Sequence, residues 1–287
     1  MSAPANPFGD EPRLVRSPTD GVELAVFEIH AERPRDAGGH PPLLLAHGAT
    51  ADHTTWRTVG PALAASRPVF AVDRRGRGAS GDAPDYAIER EYEDLAAVAD
   101  ALARDDGSGQ VDLAGHSYGG RCALGASLLT ASIRRIVVYE GAPVPPGMSY
   151  RPEGLLEAVR FALGRGANED ALTTFLAGIV GMSDAELDAY RANPVWPARV
   201  AAAHTILREV EAEASPEASL EALARVTVPV LLLLGSVSRS PFRIGTDALA
   251  ARLARAQVHV IEGAAHAAHH THAGEFVAAV EAFLDRP

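Results

Sequence analysis

The chain has 287 residues, 26 basic against 37 acidic side chains and a formal charge of −11, a length that suits one large α/β domain carrying an insertion. The acidic balance, with no basic stripe interleaved with aromatics, argues against a nucleic-acid partner. Every basic residue is arginine and the only cysteine is Cys122, which excludes a lysine Schiff base, a Walker-type phosphate loop, an internal disulfide framework and a cysteine-rich metal site.

Residues 1–12 contain Pro and Asp without an apolar core, which fits neither a signal peptide nor a membrane span, so a flexible lead-in is expected there. No later run reaches transmembrane length, and the expectation is a soluble, cytoplasmic protein with no membrane partner. Leu14–Val15 and Val22–His30 read as two strands around the turn Thr19-Asp20-Gly21. Residues 31–42, rich in Pro, Gly and charge, form a surface connection to Leu43-Leu44-Leu45-Ala46, whose continuous apolar character predicts a strand buried on both faces. That strand runs into His47-Gly48-Ala49-Thr50.

A second buried strand, Pro68–Val72, leads to Asp73-Arg74-Arg75-Gly76-Arg77-Gly78-Ala79-Ser80. There the glycines supply a tight loop, and Asp73 with its arginines supplies a charge lattice that braces it; an anion site is the alternative. A helix is predicted over 89–104. Then come the apolar run Val111–Ala114, the turn Gly115-His116-Ser117-Tyr118-Gly119-Gly120, and a helix over 121–129. Gly-x-Ser-x-Gly between a strand and a helix has a physical reason: the turn strains the serine backbone and only small neighbours let strand and helix approach. The alternative is a buried turn serine that caps the helix. Ile136–Tyr139 is a further strand, ending at Glu140-Gly141. Alternating strands and helices predict a mostly parallel, doubly wound sheet whose ligands sit at the strands' carboxyl ends, where His47, Ser117 and Glu140 all fall.

Over 142–216 no strand-like run appears, and helical periodicity over 153–163, 169–180, 184–192 and 196–214 predicts a helical cap inserted after the sixth strand. Phe161, Phe175, Met182, Trp196 and His204 are candidates to line a pocket, against plain core packing. The core, 13–141, resumes at 217–287 with a strand over 228–234, a helix over 246–254, a strand over 258–261, the loop Glu262-Gly263-Ala264-Ala265-His266 and a last helix over 274–284.

In this order, His47-Gly48, the loop 73–80, Gly115-His116-Ser117-Tyr118-Gly119-Gly120 and Glu262-Gly263-Ala264-Ala265-His266 resemble the α/β-hydrolase superfamily, specifically its helix-capped, esterase-like members. The resemblance runs from Leu14 to the end and implies an eight-stranded sheet. It also implies Ser117 as nucleophile, His266 as base and the backbone amides of Ala49 and Tyr118 as oxyanion hole. The family's acid commonly follows the strand that corresponds to 228–234, but Ser236-Val237-Ser238-Arg239-Ser240-Pro241 holds no carboxylate. Some members place it after the strand following the nucleophile, which here gives Glu140. His266 would then take the Ser117 proton while Glu140 fixes the imidazole tautomer.

His47, Trp56 and Trp196 are expected at the substrate pocket, with bracing of the oxyanion loop as the alternative for His47 and sealing of a loop for Trp56. The clustered His269, His270 and His272 invite a metal, but no cysteine lies near them and the resemblance requires none; a polar lead into the last helix is expected, with no metal and no cofactor. The implied activity is hydrolysis of a carboxylic ester, lactone or thioester of a small, largely apolar molecule, by a monomer or homodimer. Lyase, cyclase or carbon–carbon hydrolase chemistry with the same triad, or a ligand binder on the same scaffold, are the alternatives.

Overall fold

Strands that are apolar at every position need cover on both faces, and in the computed structural model, which describes residues 6–31 and 39–286, they have it. The strands are β1 (Arg13–Arg16), β2 (Glu23–Ile29), β3 (Leu43–Ala46), β4 (Val69–Val72), β5 (Val111–His116), β6 (Ile133–Tyr139), β7 (Val230–Gly235) and β8 (Ala256–Ile261). They form one sheet in the order β1-β2-β4-β3-β5-β6-β7-β8, with β2 antiparallel to both of its neighbours and every later pairing parallel. The main helices are α1 (Ile88–Asp106), α2 (Tyr118–Ala126), α3 (Leu155–Gly164), α4 (Asn168–Phe175), α5 (Asp184–Arg191), α6 (Trp196–Ala201), α7 (Ile206–Ala212), α8 (Ser240–Ala250) and α9 (Ala273–Leu284). No helix among the described residues is long and apolar enough to cross a membrane.

The period-2 geometry of a strand sends alternate residues to opposite faces. Leu44, Leu113, Ile136, Val138 and Leu232 pack with α1 and α2 on one side, and Leu43, Leu45, Val137, Tyr139 and Leu233 pack with Phe276, Val280 and Phe283 of α9 on the other. The helices between β6 and β7 bury a third cluster of their own, centred on Val159, Leu172, Phe175, Leu187, Trp196 and Ile206, and Ala49 of the loop after β3 packs against it. Leu220 and Leu223 already belong to the sheet's core.

Several expected boundaries move, for local reasons. Within the expected lead-in Phe8 is buried and bridges Ile29 at the end of β2; residues 1–5 of that segment lie outside the described residues. The single helix expected over 196–214 is broken by a 3-10 turn, Ala202–Thr205, where the Thr205 hydroxyl donates back to Ala202 O at 2.8 Å. The expected helix 169–180 ends at Phe175 and tightens no further: Leu176–Val180 form a π turn, closed by Gly181 at φ 85°. The helix expected from 246 begins at Ser240, since Pro241 is well placed in a first turn.

The loop 73–80 is braced by charge. Arg75 grips Asp94 with two hydrogen bonds of 2.7 and 2.8 Å, and Asp73 accepts from His53 N and Ala79 N. Arg74 and Arg77 are buried and share Glu91 of α1 with Glu209 of α7: Arg74 lies 2.8 Å from Glu91 Oε1 and 2.7 Å from Glu209 Oε1, and Arg77 pairs with both carboxylates. This cluster ties the helices after β6 to the sheet. Removing one carboxylate leaves two guanidinium groups sharing the other in a dry site, so Glu209→Ala is expected to destabilise the fold by about 3–5 kcal/mol. A urea midpoint unchanged by that substitution would show the cluster to be electrostatically idle.

Candidate active site

Ser117 stands between β5 and α2 at φ 52°, ψ −123°, one of three non-glycine residues with positive φ among the described residues. The other two are Thr50, after β3, and Glu140, after β6. Such backbone costs on the order of 1–3 kcal/mol per residue and persists where its surroundings over-determine it. All three lie at the carboxyl ends of neighbouring central strands. The crowding that holds the serine turn is visible at Gly119: a Cβ there would come within 2.3 Å of His47 O and 2.5 Å of Ala46 O, so only glycine lets α2 rest on the end of β3.

His266 and Glu140 meet across the sheet. His266 Nδ1 lies 2.6 Å from Glu140 Oε2, and the other carboxylate oxygen accepts from Gly235 N at 2.8 Å and from the Ser238 hydroxyl at 2.5 Å. The loop bearing His266 is pinned: His116 Nε2 lies 2.8 Å from His266 O, the Tyr139 hydroxyl donates to Ala265 O and accepts from Ala268 N, and Phe242 stacks on the imidazole at 4.3 Å. His266 and Ser117 face the same cavity, of about 560 Å³. Around Ser117 the Ala49 and Tyr118 amides donate to no other group among the described residues. The Ala49 loop is held from outside the sheet, Arg199 donating to Ala49 O at 3.2 Å and to the Thr50 hydroxyl at 3.3 Å.

The expected substrate-binding residues His47, Trp56 and Trp196 do not line this cavity. His47 is fully buried and braces two loops: its Nε2 accepts from Arg74 N at 3.0 Å and its Nδ1 lies 2.9 Å from Gly48 O. Trp56 is buried beneath the cavity floor against His269 and Phe276, and Trp196 packs edge-on to Tyr190 within the third cluster. Each ring finds more contact in a core than at an open wall. Among the other candidates Phe175 and Met182 do face the cavity, while Phe161 and His204 are exposed elsewhere.

What lines the cavity instead includes the polar groups Thr54, Thr55, Arg57, Thr58, Arg199, His269 and His270, opposite the apolar side chains Phe175, Leu176, Ile179, Val180, Met182 and Val195. Sequence reasoning placed His269 and His270 only as a polar lead into α9, and it passed over Arg57 and Arg199 altogether. A small recess of about 40 Å³ lies on the other side of Ser117, with Tyr118, Arg121, Tyr150, Glu209 and Phe242 in its wall. Among the described residues no group of three or more His, Cys, Asp or Glu side chains is disposed to hold a metal ion.

Four imidazoles around the site, those of His47, His116, His269 and His270, are shifted toward the neutral form. Burial is the main cause for His47, His116 and His269, all shifted well below the ordinary histidine value, and His270 is lowered to about 4 by burial and by the charges of Arg57 and Arg199. An unfolded chain protonates these histidines from about pH 6.5 downward, whereas the folded chain does not until far lower. Between those values the unfolded state binds more protons, so stability falls as the pH falls. The melting temperature is expected to be lower at pH 5 than at pH 7.5, and His270→Gln should make the decline shallower. A decline identical in wild type and variant would contradict the His270 shift.

A model of the alpha/beta hydrolase family matches residues 43–280. A 2-hydroxymuconate semialdehyde hydrolase of Pseudomonas sp. strain CF600 is 31% identical, over 99% of this chain and 97% of that one. An N-formylmaleamate deformylase of Pseudomonas putida strain KT2440 is 30% identical over 47% of this chain and half of its own length. Among solved structures, an alpha/beta hydrolase from Sphaerobacter thermophilus superposes with a TM-score of 0.74 at 28% identity, covering 92% of this chain and 99% of that one.

Proposed function

The chain belongs to the alpha/beta hydrolase family, and from that premise we propose that it hydrolyses an acyl bond of a small carboxylate through an acyl-enzyme on Ser117. The observation that carries this reading is the Glu140–His266 pair at 2.6 Å with His266 facing the same cavity as a strained, half-buried serine. Glu140 holds the Nδ1–H tautomer, which leaves Nε2 to take the Ser117 proton as the oxygen attacks a carbonyl carbon. The free amides of Ala49 and Tyr118 receive the oxyanion, a contribution worth about a hundred- to a thousandfold per donor in enzymes of this kind. His266 then protonates the leaving group and activates the water that releases the acid. The helical segment 142–216 serves as cap, contributing the apolar wall of the cavity.

Arg199 gives the substrate its charge. Its hydrogen-bond partners are a carbonyl and a hydroxyl beside Ser117 and it lies over the Tyr190 ring, with no carboxylate in ion-pairing distance among the described residues, so a substrate carboxylate has a guanidinium waiting at the reacting end. The unequal spaces on the two sides of Ser117 put the larger part of the substrate in the 560 Å³ cavity and leave the recess for a small group. The bond cleaved in this reading is that of an ester, lactone or thioester. The full-length likeness to a 2-hydroxymuconate semialdehyde hydrolase favours a second one, in which the attacked carbonyl is an aldehyde and the bond broken is the carbon–carbon bond beside it.

One experiment separates them. Release of p-nitrophenol from acetyl, butyryl and hemisuccinyl esters is compared with bleaching of 2-hydroxymuconate semialdehyde, each with wild type and Arg199→Gln. Ester turnover with the hemisuccinyl ester preferred, and a KM raised about tenfold for that ester alone by Arg199→Gln beside any loss of kcat that loosening the Ala49 loop imposes on all three esters, supports the leading reading. Dienol bleaching without ester turnover moves the assignment to carbon–carbon cleavage, and inactivity on both sinks each.

A further inference from the structure

The cavity carries a second cationic group that the proposed chemistry does not use. Arg57 closes the 3-10 turn His53–Arg57 and faces the cavity, where its guanidinium donates to Thr54 O at 3.1 Å and makes no ion pair among the described residues. Elsewhere this chain satisfies its buried guanidinium groups with carboxylates, as at Arg67, Arg74, Arg75 and Arg77. The carboxylates on the cavity wall are engaged otherwise. Asp52 turns back to accept from the Thr54 backbone and hydroxyl, and Glu186 accepts from the Ser183 backbone and hydroxyl at the start of α5.

Beside Arg57 stand two further polar groups. His270 Nδ1 lies 3.4 Å from the Thr58 hydroxyl and its Nε2 lies 3.3 Å from the Thr55 hydroxyl. Arg57 and Arg199 line the same cavity, and both charges help to depress the His270 imidazole. A wall with two guanidinium groups that make no ion pair among the described residues, two threonine hydroxyls, and carboxylates already hydrogen-bonded to their own loops is better matched to an anion than to a neutral ligand.

We propose that Arg57, with Thr58, forms a second carboxylate subsite, so that the substrate is a small dicarboxylate bound by Arg199 at the reacting end and by Arg57 at the other. The inference rests on the reading of Arg199 given above. A carboxylate placed on a guanidinium adds at least about tenfold to affinity when it displaces only water.

The test measures binding rather than turnover. Isothermal titration calorimetry of the wild-type chain with the diacids succinate to suberate is compared with the monoacids butyrate to octanoate. The best diacid is expected to bind about tenfold tighter than the monoacid of equal length. Arg57→Gln is expected to remove that advantage and leave the monoacid affinity unchanged, Arg57→Lys to retain part of it, and Arg199→Gln to weaken both ligand types. Equal affinity of diacids and monoacids, no measurable binding of either, or an equal loss for both with Arg57→Gln would overturn the subsite. Because no bond is cleaved in this measurement, a failed ester assay leaves a diacid preference visible, and a missing diacid preference leaves ester turnover untouched.

Discussion

Ser117→Ala is expected to lower kcat for any accepted ester by about 100,000-fold or more while leaving the fold intact. The size follows from what the hydroxyl does in the proposed reaction: without it no acyl-enzyme forms, and what remains is binding and the oxyanion amides of Ala49 and Tyr118, which together sustain only a small residual rate. The structural cost is small for a separate reason. The Ser117 side chain makes no hydrogen bond among the described residues, so alanine loses no partner there and keeps the same strained backbone at φ 52°. Ser117→Gly sharpens the point. Glycine removes the steric cost of positive φ, partly offset by the entropy that a glycine adds to the unfolded chain, so it should raise stability by on the order of 1 kcal/mol while abolishing activity. Pre-steady-state ester cleavage and a urea midpoint for the three proteins check both halves. Activity retained in Ser117→Ala, or a large stability loss, would remove the serine from the proposed role.

That Ser117, Glu140 and His266, from distant stretches, all fall at one edge of the sheet was legible because each sits just past a strand of unmistakable composition. Apolar runs such as Leu43–Ala46 and Leu231–Leu234 can only be strands covered on both faces, and parallel strands bring their carboxyl ends to one edge. Glu140 could be singled out through the resemblance, some of whose members carry the acid after the strand that follows the nucleophile, since the loop after β7, residues 236–241, holds no carboxylate. The structure supplies the physical counterpart: Ser238 donates to the very carboxylate that takes the place of an acid in its own loop.

The cavity wall was far less legible. A tryptophan or histidine next to a motif has the same sequence appearance whether it lines a pocket or fills the space beneath it, and Trp56, Trp196 and His47 all do the latter. Arg57 and Arg199 sit in short, amphipathic stretches where an arginine is ordinarily a solvated surface residue. Only the folding of two remote segments over the same strand edge leaves them facing a common space without carboxylate partners. Helix ends suffered similarly, since the break at Ala202–Thr205 depends on one hydroxyl turning back on its own backbone.

Glu140→Gln is expected to lower kcat about 10,000-fold with little change in KM. The carboxylate is an acceptor to three donors: Gly235 N and the Ser238 hydroxyl at Oε1, and His266 Nδ1 at Oε2. A glutamine has one carbonyl oxygen, which stays with Gly235 N and Ser238, and its amide then presents N–H toward His266 Nδ1. A donor facing a donor drives the imidazole to its other tautomer, whose Nε2 carries the proton and cannot accept one from Ser117. The position of Ser238 adds a constructive arm. Its hydroxyl already touches the carboxylate, so a longer acidic side chain there reaches toward His266 Nδ1 once Glu140 is shortened. Glu140→Ala/Ser238→Asp should therefore recover about a hundredfold or more of the activity that Glu140→Ala alone loses. That recovery should follow a carboxylate titration in the pH profile, and Ser238→Asn in the same background should not reproduce it. Undiminished activity in Glu140→Gln would assign the imidazole's orientation to Phe242, His116 and Tyr139 instead, and failure of the double variant would restrict the acid to the end of β6.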